Sequence, residues 1–344
     1  MTTDILYLLA GIALLIAGGN YLTDGAVAVA RRFNVSSLMI GLTVVALGSS
    51  MPDIAVCVES ALEHKTAIAV GNIIGADIFD MLLVVGIMAV CRPWRVGSIM
   101  TSRDLPILAI AVISLWIVGD SQIFDNGSQN IINRSAGLML IVVFVFYMWL
   151  TVQSAKAELA EVPASASVGA TSENTGVAAA HTASGSVKGH TTAQRPWLSW
   201  VMIIGGLGAL VLGGNWVVDG ASGLAEKAGM SQGMVALTVV AIGNSLPDLV
   251  TSLTAAFKGQ SGLAFGNIVG ACIIDALLAI GLSSAITPLA AGSVGFLDFM
   301  TLVGAALLVW LLPYLSRTRT LGRPAGVLLI ALYIAYMLII ILRG

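Results

Sequence analysis

The sequence predicts an all-α polytopic membrane protein with ten transmembrane helices, arranged as two five-helix repeats of inverted topology. Three observations predict this fold class. The 344-residue chain is 58% hydrophobic and only 10% charged, with a mean hydropathy of +0.96, whereas soluble domains carry about 25% charged residues. Apolar stretches long enough to cross a membrane recur along the whole chain. The first half of the sequence also recurs in the second half at one constant spacing.

A membrane-spanning helix needs about 20 consecutive apolar residues. The first such stretch is expected to be a retained helix and not a cleaved signal, because Asp4 stands where a signal would carry basic residues. The fourth is the shortest, and its assignment as a span depends partly on the repeat. The ten predicted spans are approximately 5–30, 36–60, 66–91, 104–119, 133–152, 198–225, 231–257, 262–287, 296–315 and 324–342.

The chain divides into a first repeat at 1–152, a linker at 153–197 and a second repeat at 198–344. The linker is rich in Ala, Ser, Thr and Gly, so it is expected to be flexible. Cytoplasmic loops carry an excess of Lys and Arg. With the N-terminus outside, only four of the 16 Lys and Arg residues fall on the outer side, namely Lys65, Arg134, Lys227 and Arg343. Both termini are therefore predicted outside and the linker in the cytoplasm.

Composition also argues against several kinds of protein. The formal net charge is −2, and no basic run or aromatic-interleaved patch suggests a nucleic-acid partner. Cys57, Cys91 and Cys272 are isolated in apolar surroundings, which argues against a disulfide framework or a zinc site. They are expected to be buried, inert thiols. The protein is expected to be neither an enzyme nor the carrier of a cofactor.

The internal repeat begins with LTVVALGSSMPD at residues 42–53, which recurs as LTVVAIGNSLPD at 237–248, 195 residues later, with nine of twelve positions identical. The same spacing continues through GNI at 71–73 and 266–268, so the two motifs extend over 42–86 and 237–281. Each half contains five predicted helices. Because five is odd, the second half enters the membrane in the opposite orientation, as in many secondary transporters that bind their substrate near the midplane.

Polar residues inside these motifs predict a cation site. Pro52 interrupts its helix and frees backbone carbonyl groups. An unpaired charge at the centre of a bilayer costs about 2.5–3.5 kcal/mol, so the aspartates require protons, monovalent cations or a divalent cation. Carboxylate, hydroxyl and amide oxygens suit Ca²⁺, Mg²⁺ or Na⁺. The candidate metal ligands are Ser49, Ser50, Asp53, Asn72, Asp77, Asp80, Asn244, Ser245, Asp248, Asn267 and Asp275.

The paired segments GSSMPD with GNIIGADIFD, and GNSLPD with GNIVGACIID, resemble the two α-repeats of the Ca²⁺:cation antiporter superfamily, and within it the prokaryotic sodium/calcium exchangers. The resemblance implies ten helices that exchange Ca²⁺ for Na⁺, or for H⁺ in sister branches, by alternating access in a prokaryotic inner membrane. It implies that Asp53 and Asp248 are the central Ca²⁺ ligands. A monomer in the lipid bilayer is expected. The other ion-binding positions would be Ser49, Ser50, Asp80, Asn244, Ser245 and Asp275.

Departures from the family pattern keep a second interpretation open. The exchangers usually have Glu after the proline, with Thr at the positions of Ser49 and Asn244. Their G-S-N is replaced by GAD at 75–77 and GAC at 270–272, which removes two hydroxyls that resemble sodium ligands. Added titratable groups favour the alternative of an H⁺-coupled exchanger of Ca²⁺ or of another divalent cation such as Mg²⁺ or Mn²⁺. Remoter alternatives are a cation channel and an intramembrane aspartyl protease, whose Y-D and G-x-G-D motifs are absent.

Overall fold

The computed structural model describes most of both halves of the chain. The central part of the linker and much of 228–244 fall outside this description. The residues described are 2–33, 35–120, 130–165, 196–227, 243, 245–292, 294–316 and 319–343.

In the described residues the fold is all-helical apart from four two-residue strands. The elements of the first half are α1 (Thr2–Phe33), α2 (Ser37–Ser49), α3 (Met51–Leu62), α4 (Thr66–Cys91), β1 (Trp94–Arg95), α5 (Met100–Gly119), β2 (Ile131–Ile132) and α6 (Arg134–Ser165). Those of the second half are α7 (Pro196–Lys227), α8 (Leu246–Phe257), α9 (Ser261–Ile286), β3 (Leu289–Ala290), α10 (Phe296–Leu315), β4 (Thr320–Leu321) and α11 (Arg323–Arg343).

Eight helices in the described part of the chain are long and apolar enough to cross a membrane: α1, α4, α5, α6, α7, α9, α10 and α11. The short fourth predicted span is among them as α5. The second predicted span is present as the pair α2 and α3, bent by 42° at Ser50. Of the seventh predicted span, the structure describes little beyond α8, a shorter apolar helix. The count of ten therefore stays a prediction.

The last helix of the first half ends later in the chain than predicted. Helix α6 continues to Ser165, well beyond the predicted end at residue 152. Its extension, QSAKAELAEV, is rich in Ala, Glu, Gln and Lys, which are strong helix formers. At the other end, Pro196 and Trp197 already belong to α7. The flexible linker predicted at 153–197 thus has helical ends, and its centre at 166–195 lies outside the described residues.

Two helices occupy the centre of the molecule. Every residue of α9 from Leu263 to Ile274 is buried, and α4 is likewise buried over most of its length. A helix that is apolar on all sides is stable only when it is surrounded. Helices α1, α6 and α11 instead expose large apolar side chains such as Leu9, Val142 and Leu342. These outer surfaces match the hydrocarbon of a bilayer, so the polar residues of α4 and α9 lie at the centre of an apolar bundle.

Helices α1 and α7 pack closely through glycines at corresponding positions of the two repeats. A Cβ atom on Gly18 would lie 2.8 Å from the carbonyl oxygen of Gly206, and one on Gly213 would lie 2.9 Å from that of Gly11. Since Gly206 and Gly213 are the 195-residue counterparts of Gly11 and Gly18, each contact is the counterpart of the other. Small residues allow such close approach of helix backbones in membranes.

The two halves are also joined by short strands. Strand β1 pairs antiparallel with β4, and β2 pairs antiparallel with β3. Trp94 is the counterpart of Leu289 at the 195-residue spacing, and their partners Leu321 and Ile132 are 189 residues apart, so exchanging the halves converts the first pairing into the second. Two glycine contacts correspond in the same way: Gly86 packs on Gly326, and its counterpart Gly281 packs on Gly137.

Adjacent glycines of α7 provide a test of this packing. In Gly206→Ala the new Cβ would meet the backbone nitrogen of Leu22 at 2.7 Å, whereas nothing lies within 4 Å of a Cβ at Gly205. We expect Gly206→Ala to lower the thermal unfolding temperature in detergent, with a cost of about 1–3 kcal/mol from overpacking. Gly205→Ala should be neutral or stabilising by up to about 1 kcal/mol, because Ala has the higher helix propensity. Equal unfolding temperatures for the two variants would contradict the packing described here.

Candidate functional site: a buried carboxylate cluster

The two central aspartates each lie in the first turn of a helix that follows a break. Asp53 is in the first turn of α3, behind Pro52, and Asp248 is in the first turn of α8, behind Pro247. Proline is favoured there because the first helical residues have no backbone hydrogen bond to lose. The positive end of the helix dipole stabilises a carboxylate in this position. The sequence repeat thus places two acids in the same local environment.

Each of these aspartates accepts a hydrogen bond from an asparagine of the neighbouring central helix. Asn72 Nδ2 donates to Asp53 Oδ1 at 2.7 Å, and Asn267 Nδ2 donates to Asp248 Oδ1 at 2.9 Å. The two pairs are counterparts at the 195-residue spacing. An amide that donates to a carboxylate fixes its orientation and leaves its other oxygen available for a cation.

A serine connects the two halves at this point. Ser49 Oγ, at the end of α2, is 3.1 Å from Asn267 Oδ1 on α9 and donates to it. Ser49 also lies beside the carboxylate of Asp248. Asn267 Nδ2 is in addition 3.3 Å from Ser252 Oγ on α8. Helices α2, α8 and α9 are therefore joined through the side chain of one buried asparagine.

The remaining acids come from a widened part of the central helices. Asp80 lies in the first turn of a π-helical segment of α4 (Phe79–Val84), and Asp275 lies in the first turn of the matching segment of α9 (Asp275–Ala279). Short π-helical turns within α-helices occur frequently at functional sites. Both segments replace the ordinary i to i−4 bonding around an aspartate, at the same place in each repeat.

Five aspartates are brought into one buried cluster. Their side chains are at most 3% exposed, and the negative charges of Asp53 and Asp248 act on each other and on the other three acids. Among the described residues, several oxygens of the cluster have no hydrogen-bond partner: both of Asp77, Oδ1 of Asp80 and Oδ1 of Asp275. A buried polar group without a partner is costly, and these oxygens are free to bind a cation or a proton.

The other predicted ligands are only partly accounted for. Ser50 and Ser245 are buried, and Ser50 Oγ has no partner in the part of the chain that the structure describes. Asn244 lies outside the described residues. Within the described ranges, no group of three or more His, Cys, Asp or Glu side chains stands close enough together to hold a metal ion by itself. A cation at this site would therefore need hydroxyl, amide or backbone oxygens in addition to the carboxylates.

Sequence reasoning missed three side chains at this site. Ser252 follows Asp248 by four residues and so lies on the same helix face, a signal that would have identified it. Cys57, its counterpart in the first repeat, is buried and donates its thiol to the carbonyl oxygen of Ala69 at 3.6 Å. Cys272 is fully buried on α9, at the position that corresponds to Asp77 in the first repeat. The prediction of buried thiols is wrong for Cys91, which is exposed because it is the last residue of α4.

Comparison with known proteins establishes the family. A profile described as "sodium/calcium exchanger protein" matches residues 3–153 and 198–342, which is nearly all of the chain on both sides of the linker. The chain belongs to this family. The match agrees with the resemblance of the two α-repeat motifs, and exchangers are transporters rather than enzymes.

Relatives of this exchanger-family protein match over its full length. It is 29% identical to a putative antiporter, CaxA, of Alkalimonas amylolytica, over 98% of each chain. It is 26% identical to the sodium/calcium exchanger MaX1 of Methanosarcina acetivorans, over 99% of each chain. A structure of the sodium-calcium exchanger NCX_Mj soaked without Na⁺ and Ca²⁺ aligns with a TM-score of 0.77 at 27% identity, over 98% of this chain and 99% of that one.

Proposed function

We propose that the protein is a secondary active antiporter that exchanges Ca²⁺ for Na⁺ across the membrane by alternating access, with Ca²⁺ bound near the midplane by Asp53 and Asp248. Its membership of an exchanger family supports antiport of Ca²⁺ against another cation. One observation carries the choice of residues: the matched Asp53–Asn72 and Asp248–Asn267 pairs, in both of which the carboxylate is buried.

The charge of the site explains why transport would be coupled. A bundle that carries several ionised aspartates and no cation is too costly to rearrange in a low-dielectric environment. One Ca²⁺ or several monovalent cations would neutralise the same carboxylates. Because both ions need the same oxygens, each excludes the other. The site changes its access from one side of the membrane to the other only when it holds cations.

Alternating access requires two halves that can move relative to each other about a shared site. The counterpart contacts of α1 with α7, and of β1 with β4, support the inverted-topology repeat. We propose ten spanning helices, with both termini outside and the linker in the cytoplasm, in agreement with the distribution of Lys and Arg. We further propose that one copy of the chain is sufficient for transport, since the described carboxylate cluster is drawn from a single chain.

A specific observation favours H⁺ as an alternative coupling ion. Both oxygens of Asp77 and one each of Asp80 and Asp275 lack hydrogen-bond donors among the described residues. A protonated carboxyl group removes the charge of such a buried acid without a metal ion. An H⁺-coupled exchanger would load these acids with protons where the Na⁺-coupled one would load cations. In that case Mg²⁺ or Mn²⁺ could replace Ca²⁺ as the transported ion.

Uptake of radiolabelled Ca²⁺ into proteoliposomes tests the proposal. Three conditions are compared: an outward Na⁺ gradient, an outward H⁺ gradient, and neither gradient. We expect uptake with the Na⁺ gradient, and competition for it by excess unlabelled Ca²⁺ but not by Mg²⁺.

Each other outcome points to a different mechanism. Uptake with the H⁺ gradient alone would replace Na⁺ by H⁺ as the coupling ion, and competition by Mg²⁺ or Mn²⁺ would change the transported ion. Uptake without either gradient, together with electrical conductance far above turnover rates, would indicate a channel. Absence of Ca²⁺ uptake under all three conditions would contradict the proposed exchange.

A further inference from the structure

Helix α1 packs along α8. A Cβ atom on Gly19 of α1 would lie 3.1 Å from Thr254 Oγ1 and 3.2 Å from a side-chain carbon of Val250, both on α8. Five residues further along α1, Asp24 contacts Lys258, which follows the last residue of α8. Val250 comes two residues after the central aspartate of this half. The contact with α1 therefore extends from near that aspartate to the end of α8.

An ion pair lies at the far end of this contact. Lys258 Nζ donates to Asp24 Oδ1 at 2.7 Å and to the backbone carbonyl oxygen of Asn20 at 3.1 Å. Both acceptors belong to α1, whereas Lys258 is the C-cap residue of α8. Both charged side chains are partly exposed, and ion pairs in contact with water are weak enough to break and form again. Lys258 thus joins the two helices by bonds that can open.

The corresponding contact of α7 with α3 differs. At Gly214, the counterpart glycine of α7, the three atoms nearest to a Cβ atom all belong to the second half of the chain and none to α3. On α3, Ala55 and Glu59 are exposed. Their counterparts on α8, Val250 and Thr254, are partly buried. The structure therefore covers α8 with α1 and leaves the corresponding face of α3 uncovered.

The charges at the two ends explain why an ion pair can form on one side only. At the 195-residue spacing, the counterpart of Lys258 is Glu63 and that of Asp24 is Asp219. The opposite side therefore has two acids where the α8 side has an acid and a base. Glu63 instead pairs with Lys65 of the adjoining loop at 2.8 Å. A contact of α7 with α3 in the same form would bring two carboxylates together, and like charges repel.

We propose that Lys258 is a latch: its bonds to Asp24 and to the Asn20 carbonyl oxygen hold α1 against α8 and stabilise the state in which the α8 side is closed. The opposite side has no counterpart of this latch, so these residues make the two access states unequal in free energy. During exchange the latch must open whenever the site turns to the α8 side, which the topology predicts to be cytoplasmic. This last consequence alone rests on the proposed function.

The reactivity of a thiol placed beneath α1 tests the latch in the purified protein, without transport. Thr254→Cys introduces this thiol into the α1–α8 contact, and Cys91→Ser removes the exposed native one. The rate of modification by a water-soluble maleimide is measured, and the rate of Cys91→Ser alone is subtracted. Since modification requires α1 to move away, Lys258→Gln and Asp24→Asn should each raise the rate about two- to fivefold, the range for an exposed ion pair.

Control variants separate a latch from a simple helix cap. Lys258→Arg keeps the positive charge and should restore a rate close to that of the unmodified latch. Glu63→Gln removes the carboxylate at the counterpart position and should leave the rate unchanged. A faster rate in Lys258→Gln without one in Asp24→Asn would mean that Lys258 only caps α8, and it would overturn the latch. Equal rates in all variants would overturn it as well.

Ca²⁺ exchange tests the link to transport. In oriented proteoliposomes, Lys258→Gln should lower the half-saturating Ca²⁺ concentration on the α8 side by the same factor as it raises the maleimide rate, because the state that binds from this side becomes more populated. If the thiol responds as expected but no variant exchanges Ca²⁺, the proposed function fails and the latch stands. If Ca²⁺ is exchanged but the thiol does not respond, the latch fails and the proposed function stands.

Discussion

Asp53→Asn and Asp248→Asn are each expected to abolish Ca²⁺ flux while leaving the protein folded. Asparagine has the same shape as aspartate and can still accept the hydrogen bond from Asn72 or Asn267. It lacks the negative charge, and the number of charged ligands sets Ca²⁺ affinity over several orders of magnitude. We expect Ca²⁺ affinity to fall by at least about 100-fold in either variant, as measured by Ca²⁺ titration and by flux in proteoliposomes.

Although Ca²⁺ affinity should fall in these variants, the thermal stability of the ion-free protein should stay the same or rise. Removing a buried charge that lacks a basic partner removes its desolvation cost. The ion-free Asp53→Asn protein should therefore unfold at the same temperature as the unmodified protein or at a higher one. Glu63→Gln is the matched control, because it removes a half-exposed carboxylate that pairs with Lys65 on the surface; such pairs contribute about 0–1 kcal/mol. Full Ca²⁺ flux in either aspartate variant would refute the assignment of the ligands.

Asn267→Ala is expected to have the second largest effect on Ca²⁺ affinity. The substitution removes the donor to Asp248 at 2.9 Å and the acceptor of the Ser49 hydroxyl at 3.1 Å. It leaves the buried carboxylate of Asp248 without this donor, at a cost of about 1–3 kcal/mol, whereas the Ser49 hydroxyl keeps the carbonyl oxygen of Ala46 as an acceptor at 3.2 Å. We expect Ca²⁺ affinity to fall by about 10–100-fold, as for other groups that orient metal ligands. The thermal unfolding temperature should also fall.

Ser283→Ala is the matched control for Asn267→Ala. Ser283 lies on the same helix and is fully buried, but its hydroxyl has no hydrogen-bond partner among the described residues. Removing it should leave Ca²⁺ affinity within about twofold of the unmodified protein, since distant sites rarely couple. Equal Ca²⁺ affinities in Asn267→Ala and Ser283→Ala would mean that the asparagine does not orient Asp248.

Much of this architecture could be predicted from the sequence because it depends on residues close together in the chain. Composition and apolar length predict spanning helices, and Pro52 predicts the break that is present as a 42° bend between α2 and α3. The repeat predicts that Asp53 and Asp248 share one environment, and both lie in the first turn of a helix after a break. These features follow from local sterics and from the period of the sequence.

Contacts between distant segments could not be predicted in this way. Nothing in the chain indicates that Ser49 bonds to Asn267, because that contact depends on how α2 packs against α9. The π-helical turns at Asp80 and Asp275 are also unpredicted, since an apolar helix has the same sequence pattern with or without one.

Titration of the purified protein with Ca²⁺ at increasing Na⁺ concentrations, at constant ionic strength and pH, tests the central claim most directly. The claim is that Ca²⁺ and the coupling cation compete for the carboxylates of Asp53 and Asp248. We expect the apparent Ca²⁺ dissociation constant to rise steadily with Na⁺, and Ca²⁺ binding to be lost in Asp53→Asn and in Asp248→Asn. Ca²⁺ binding that is independent of Na⁺, or that survives in both variants, would contradict it.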